Sequence, residues 1–171
     1  DNMTRAAMIP TIYLDSEMHI RRFSFEIGKI FRIRESDVGR PIDDFKHDMD
    51  YPEFMTDLQN ALHEMRTIER ETRVNQNQWY LVRILPYYDQ AKKINGTVIT
   101  FYDITNVKDA HKTQAILDSV NANIALINAQ GVITVTNHAW KRFAEANGDV
   151  GLNATCAGQN YLEACRSELS N

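Results

Sequence analysis

Cysteine is scarce in this 171-residue chain: there are two, Cys156 and Cys165, both near the C-terminus. Two thiols make neither a disulfide framework nor a structural zinc set, and they read as inert thiols in a reducing compartment. Long hydrophobic runs are missing as well. No apolar stretch approaches the roughly 20 residues that cross a bilayer, and no basic, apolar, small-residue signal opens the chain, so a cytoplasmic location is expected. Charge of one sign is not in excess either. The 19 Lys and Arg residues are interspersed with 23 Asp and Glu, for a net charge of -4, which gives no footprint for nucleic acid or for an anionic membrane. The sequence also lacks a Gly-x-Ser-x-Gly elbow, a phosphate loop, a dinucleotide fingerprint and a His-Glu-x-x-His pair. No enzymatic activity and no metal site are expected of these residues, although a larger parent protein could be enzymatic.

What is present describes a globular chain. Hydrophobic residues make up 43% and charged residues 25%, enough for one generous domain or for one domain and part of another. The ends, Asp1-Asn2-Met3 and Leu169-Ser170-Asn171, read as cuts within a longer polypeptide.

Thr11 to Leu14 and His19 to Phe23 alternate apolar and polar positions around the turn Asp15-Ser16-Glu17, the pattern of a hairpin. Ser24 is placed to cap a short helix bearing Ile27, Ile30 and Phe31 on one face, and Ser36 to Pro41 then breaks the chain. Asp50-Tyr51-Pro52-Glu53 reads as a helix start with Asp50 at the N-cap. Phe54, Leu58, Ala61, Leu62 and Met65 follow on one stripe, as a helix covering a sheet requires.

Three strands come next, about Ile68 to Val74, Gln78 to Tyr87 and Gly96 to Asp103, joined by Asn75-Gln76-Asn77 and by the polar segment Asp89 to Lys93. In the second strand Trp79, Leu81 and Leu85 face one side while Tyr80, Val82 and Ile84 face the other. Both faces are largely apolar, so the side away from the helices is expected to be covered, either by the chain's own N-terminal residues or by another subunit or domain. Residues 106 to 120 lack Gly and Pro and read as a connecting helix.

The chain then repeats its opening. Ile124 to Asn137 gives strand, polar turn, strand and cap in the order of Thr11 to Ser24, 113 residues further on. Asn128 falls on Asp15, Ile133 on Ile20, Asn137 on Ser24, Trp140 on Ile27 and Phe143 on Ile30. The second copy has no counterpart of the long helix or of the three later strands, and a half-domain of that size is marginal alone.

Two strands, short helices, a longer helix and three strands ending in Asp103-Ile104-Thr105 resemble a PAS domain, a sensory and dimerisation module. The resemblance covers residues 9–105. It implies an α+β fold, a five-stranded antiparallel sheet with helices on one face, followed by a connecting helix over 106–121 and an incomplete second PAS repeat over 122–171, with residues 1–8 as a flank. Ser36 to Pro41, Asp50-Tyr51-Pro52, Trp79 to Tyr87 and Val98 to Thr105 are similar to one group in particular. Its members occur in large bacterial proteins that fuse a chemotaxis-type methylesterase and methyltransferase to PAS domains, often with a histidine kinase. The resemblance implies a non-catalytic signal-transmission module, homodimeric and joined to other domains of the same polypeptide. In it Asp103 pins the strand's exit by accepting hydrogen bonds, Ile104 follows, and Thr105 caps the departing helix through its hydroxyl.

Cofactors are not expected. Gly158 to Cys165 carries a shadow of a flavin-photosensor motif, but Tyr161 stands where the reactive cysteine belongs. His63 lies on the long helix, where haem-binding relatives place an iron ligand, yet it sits one position off the apolar stripe and reads as a surface histidine. Glu69, Glu71 and Arg73 share a strand face that reads as solvated rather than catalytic. A second reading is a small-molecule receptor with its ligand between sheet and helix, lined by Tyr13, Phe54, Leu58, Tyr80 and Tyr102.

Overall fold

The computed structural model describes residues 9–88, 94–147 and 157–161. The chain divides into two compact units, Asp1–Asn106 and Val107–Asn171. Cys156, Cys165, the 89–93 connection and the second half of the flavin-like motif (162–165) lie outside the described residues.

The first unit is an α+β fold built on a five-stranded antiparallel sheet. Its strands are β1 (Thr11–Asp15), β2 (Ile20–Phe23), β3 (Ile68–Val74), β4 (Gln78–Tyr88) and β5 (Ile94–Asp103), in the order β2-β1-β5-β4-β3. Single-turn 3-10 helices at Phe25–Lys29, Glu35–Asp37 and Ile42–Asp44, then helix α1 (Phe54–His63), fill the long connection between β2 and β3. Period-two alternation sends Ile12 and Leu14 of β1, Tyr80, Val82 and Ile84 of β4, and Ile99 and Phe101 of β5 inward. They meet Ile27, Phe31, Ile42, Phe54, Leu58 and Ala61 in one apolar core.

Gly96 is required where β5 crosses the end of β1. It pairs with Asp15 at φ +154°, and a Cβ there would lie 1.9 Å from the Leu14 carbonyl oxygen.

Three expectations of local structure need correction. Asp50 does not cap α1. The helix begins at Phe54, with Glu53 at its boundary and no side-chain cap, because residues 48–50 are drawn into the edge of β3: Asp50 N donates to Arg73 O at 2.8 Å and Asn75 N to Asp48 O at 3.1 Å. Met65 leaves the apolar stripe. It has φ +51° just past the helix end and is 61% exposed, and the buried face is instead Phe54, Asp57, Leu58 and Ala61. Ser24 makes no cap to the following turn; its hydroxyl accepts from Thr11 N at 3.0 Å and donates to Ile9 O at 3.3 Å.

The second unit contains most of helix α2 (Thr105–Asp118), then β6 (Ala125–Ile127), β7 (Ile133–Thr136) and α3 (His138–Ala146). Its hairpin repeats that of the first unit bond for bond. Asp15 Oδ1 accepts from Glu17 N and His19 N, each at 2.9 Å. Asn128 Oδ1 accepts from Gln130 N at 3.0 Å and Val132 N at 2.9 Å. The left-handed residue in the turn is Met18 (φ +65°) in one hairpin and Gly131 (φ +79°) in the other. Further on, Gly39 N donates to Ile20 O at 2.7 Å and Ile42 N to Met18 O at 3.0 Å, as Gly158 N does to Ile133 O and Tyr161 N to Gly131 O, both at 2.9 Å. Ile133 is buried like its counterpart Ile20, but two other core side chains of the first unit have half-exposed counterparts in the second: Ile127 (47%) stands for Leu14 and Phe143 (57%) for Ile30.

Candidate functional site: the exit of the last strand

Strand β5 pairs with β4 in a register that sets Tyr80 opposite Asp103. The ladder runs one step past the strand: Ile104 N donates to Trp79 O at 2.8 Å. Beyond it the side chains take over. Trp79 N donates to Thr105 Oγ1 at 2.9 Å, and Thr105 N donates to Asp103 Oδ1 at 2.9 Å. An Asp two residues before a helical N–H forms such a turn readily, because its short carboxylate reaches that donor and its charge suits the positive end of a helix. The first turn of α2 is therefore bonded both to the end of its own strand and to the start of the neighbouring one.

Thr105 does not cap α2 as expected. It is the first helical residue, and its hydroxyl oxygen points to β4, while the capping acceptor is Asp103. Trp79 is the partner that sequence reasoning missed. It stands directly after the β3–β4 turn, where Asn75 adopts φ +52°, and the Arg73 guanidinium lies 5.8 Å from the centre of its ring. Burial, and then the charge of Asp103, push the Tyr80 phenol above its usual range.

The proposed pocket residues are not brought together. Phe54, Leu58 and Tyr80 are buried in the core. Tyr13 and Tyr102 lie on the opposite face of the sheet, because each is one residue out of step with its inward neighbours. There Arg22 stacks on Tyr13 at 4.3 Å, Tyr87 meets Tyr13 edge-on at 6.1 Å, and Arg83 stands 6.0 Å from the Tyr102 ring centre. Glu69, Glu71 and Arg73 belong to this outer face as well. Glu69 pairs with Arg83 at 2.6 Å, so it serves a cross-strand ion pair.

His63 is exposed on α1, and its Nδ1 lies 2.9 Å from the Gln59 carbonyl oxygen, to which it can only donate. An open groove of about 670 Å³ runs past His47, Asp48, Met49, Asp50, Arg73 and the 75–77 turn. It lies along the edge of β3, not between the sheet and α1. Among the described residues, no three His, Cys, Asp or Glu side chains are grouped to hold a metal ion, and no helix is long and apolar enough to cross a membrane.

One further polar cluster was hidden in the sequence. Asp57 sits within the buried stripe of α1, where Tyr51 Oη donates to its Oδ2 at 2.7 Å and Arg70 Nε of β3 donates to the same oxygen at 2.9 Å. Burial raises the Asp57 carboxyl, but these two hydrogen bonds and the Arg70 charge outweigh it and hold the group below its usual range. The Tyr51 phenol moves the other way, raised by burial and then by Asp57.

With this architecture in place, comparison with known proteins assigns the class. The PAS domain family matches residues 1–105, and the chain belongs to that family. Over 165 residues it is 40% identical to a relative in Rhodobacter capsulatus, an uncharacterized 104.1 kDa protein in the hypE 3' region; the match covers 96% of this chain and 17% of the relative's length. Among solved structures it is similar to the PAS domain of the histidine kinase ThkA, with 16% identity, TM-score 0.48, and 56% of this chain and 99% of that one covered. A sensory box sensor histidine kinase from Vibrio cholerae is similar over 56% of this chain and 77% of that one, with 12% identity and TM-score 0.42.

Proposed function

We propose that the chain is a non-catalytic sensory and signal-transmission module of a larger bacterial signalling protein. The observation that supports this best is the bonding at Asp103, Ile104 and Thr105. It couples the two central strands of the sheet to the first turn of α2, so a shift between β4 and β5 alters the geometry from which the helix departs. In a full-length parent, Asp103→Ala should leave the domain folded and uncouple input from output; unchanged signalling contradicts this reading.

The second unit is the beginning of another PAS repeat, supported by the hydrogen bonds it shares with the first hairpin. The motifs around Trp79 to Tyr87 and Val98 to Thr105 favour a parent of the chemotaxis methyltransferase and histidine kinase type, acting in the cytoplasm. Self-association uses the outer sheet face or the connecting helix; on that face Tyr13, Leu81, Leu85, Tyr87 and Tyr102 are half-buried and interleaved with Arg22 and Arg83. Sedimentation showing only monomer at high concentration contradicts that part. The module works without haem or flavin, and a visible absorbance band in purified protein would overturn this.

A further inference from the structure

The second unit holds α2 in an unusual way. No residue of α2 is buried, so apolar packing does little to fix the helix to the hairpin that follows. Asn137, at the exit of β7, is completely buried. Its Oδ1 accepts from Ile124 N and from Trp140 N, each at 3.0 Å. The two N–H bonds of its Nδ2 serve three carbonyls, one of them shared: Leu117 at 3.1 Å, Val120 at 3.2 Å and Ala122 at 2.8 Å. Leu117 lies in the last turn of α2 and Val120 just beyond it.

The equivalent residue in the first unit, Ser24, makes only part of this set. Its hydroxyl takes the Thr11 N–H and gives to Ile9 O, which match the Ile124 and Ala122 bonds. The bonds to Leu117 O, Val120 O and Trp140 N are what the longer amide adds. The last turn of α2 has no basic residue to meet its free carbonyls, and the Asn137 amide serves them instead. Two more bonds flank it. Asp118 Oδ1 accepts from His138 N, the first N–H of α3, at 2.6 Å, and Gln114 Nε2 donates to Thr136 O at 3.2 Å. An acid at the end of one helix is disfavoured by that helix's dipole and favoured at the start of the next, so Asp118 gains by bridging them.

We propose that Asn137 is a latch that makes α2 and the β6–β7 hairpin one mechanical body, so that a displacement entering the helix at Thr105 reaches the hairpin without being absorbed in residues 119–124. Its use in signalling rests on the transmission reading above, but the latch itself is measured independently of any output.

The test is amide hydrogen exchange on the whole chain, comparing wild type with Asn137→Ser, which imitates Ser24. Ile124 should keep its protection and Trp140, like Ile27 after Ser24, should lose its side-chain acceptor, while Ser119 and Val120 exchange about tenfold faster, the equivalent of roughly one lost hydrogen bond. Wild-type exchange at Ser119 and Val120 in the variant would overturn the latch. If Asn137→Ser opens the hairpin, shown by loss of protection at Ile124, Asn137→Asp decides: it keeps the acceptor for Ile124 N and Trp140 N and removes the amide donors, so faster exchange at Ser119 and Val120 with Ile124 still protected supports the latch, and wild-type exchange there overturns it. A parent whose signalling ignores Asn137→Ser while the exchange result holds counts against the transmission reading and leaves the latch standing.

Discussion

The backbone N–H of Trp79 donates to the hydroxyl of Thr105 at 2.9 Å, across 26 residues of chain. This bond is where β4, β5 and α2 meet. Thr105→Val keeps the shape of the side chain and removes the acceptor, leaving a partly buried N–H without its partner. The expected cost is about 1–2 kcal/mol of stability, read by denaturant unfolding, with faster exchange at the Trp79 amide. Thr105→Ser should restore both.

Acid should weaken the first unit through Asp57. Its carboxyl is held below its usual value in the folded state, so its contribution is fully present above the unfolded pKa of about 3.9 and is lost as pH falls below that, through the folded value. Asp57→Asn should lower stability at neutral pH and flatten its fall between about pH 4 and pH 2. Urea midpoints collected across that range check the slope.

Gly96→Ala should be among the most damaging single changes in the sheet. The added methyl meets the Leu14 carbonyl oxygen at 1.9 Å, on a backbone with φ +154°. Separating β1 from β5 to admit it should cost about 3 kcal/mol or more, seen as a lower thermal midpoint.

The side chains between the sheet and α1 belong to one apolar core. Leu58 is fully buried against it, so Leu58→Ala should cost about 2–5 kcal/mol in unfolding experiments. A cost well under 1 kcal/mol would point to slack that a ligand could fill.

Association through the outer face makes its own prediction. Leu81→Glu places a charge opposite Tyr102 on that face without touching the core, and it should shift sedimentation toward monomer while the far-UV spectrum stays unchanged.

The strands were legible because their alternation is regular: β3 and the start of β4 fall where the pattern of Ile68, Val74 and Gln78 puts them. The repeat was legible too, since Asp15 and Asn128 use the same turn chemistry. The start of α1 was not, because Asp50 is a good cap by residue type but its backbone is claimed by the edge of β3, a pairing between distant segments. The pocket failed for a simpler reason. Tyr13 and Tyr102 are large and aromatic, but strand parity sets them on the outer face. Asn137 was legible as a cap, which it is, but its bonds back to α2, like those of Trp79 to Thr105 and of Asp57 to Arg70, went unrecognised because they join residues 13 or more positions apart. An acid inside the stripe of Phe54, Leu58 and Ala61 was a signal for Asp57, since a buried carboxylate demands a partner.

The central claim is that the sheet and α2 are energetically coupled through Asp103. The most direct measurement is a double-mutant cycle read by amide exchange in the first turn of α2, combining Leu85→Ala on the outer face with Asp103→Ala at the junction. Coupling predicts that Leu85→Ala changes exchange at Thr105 to Lys108 when Asp103 is present and has little effect there once Asp103 is removed. Equal effects in both backgrounds would contradict the account.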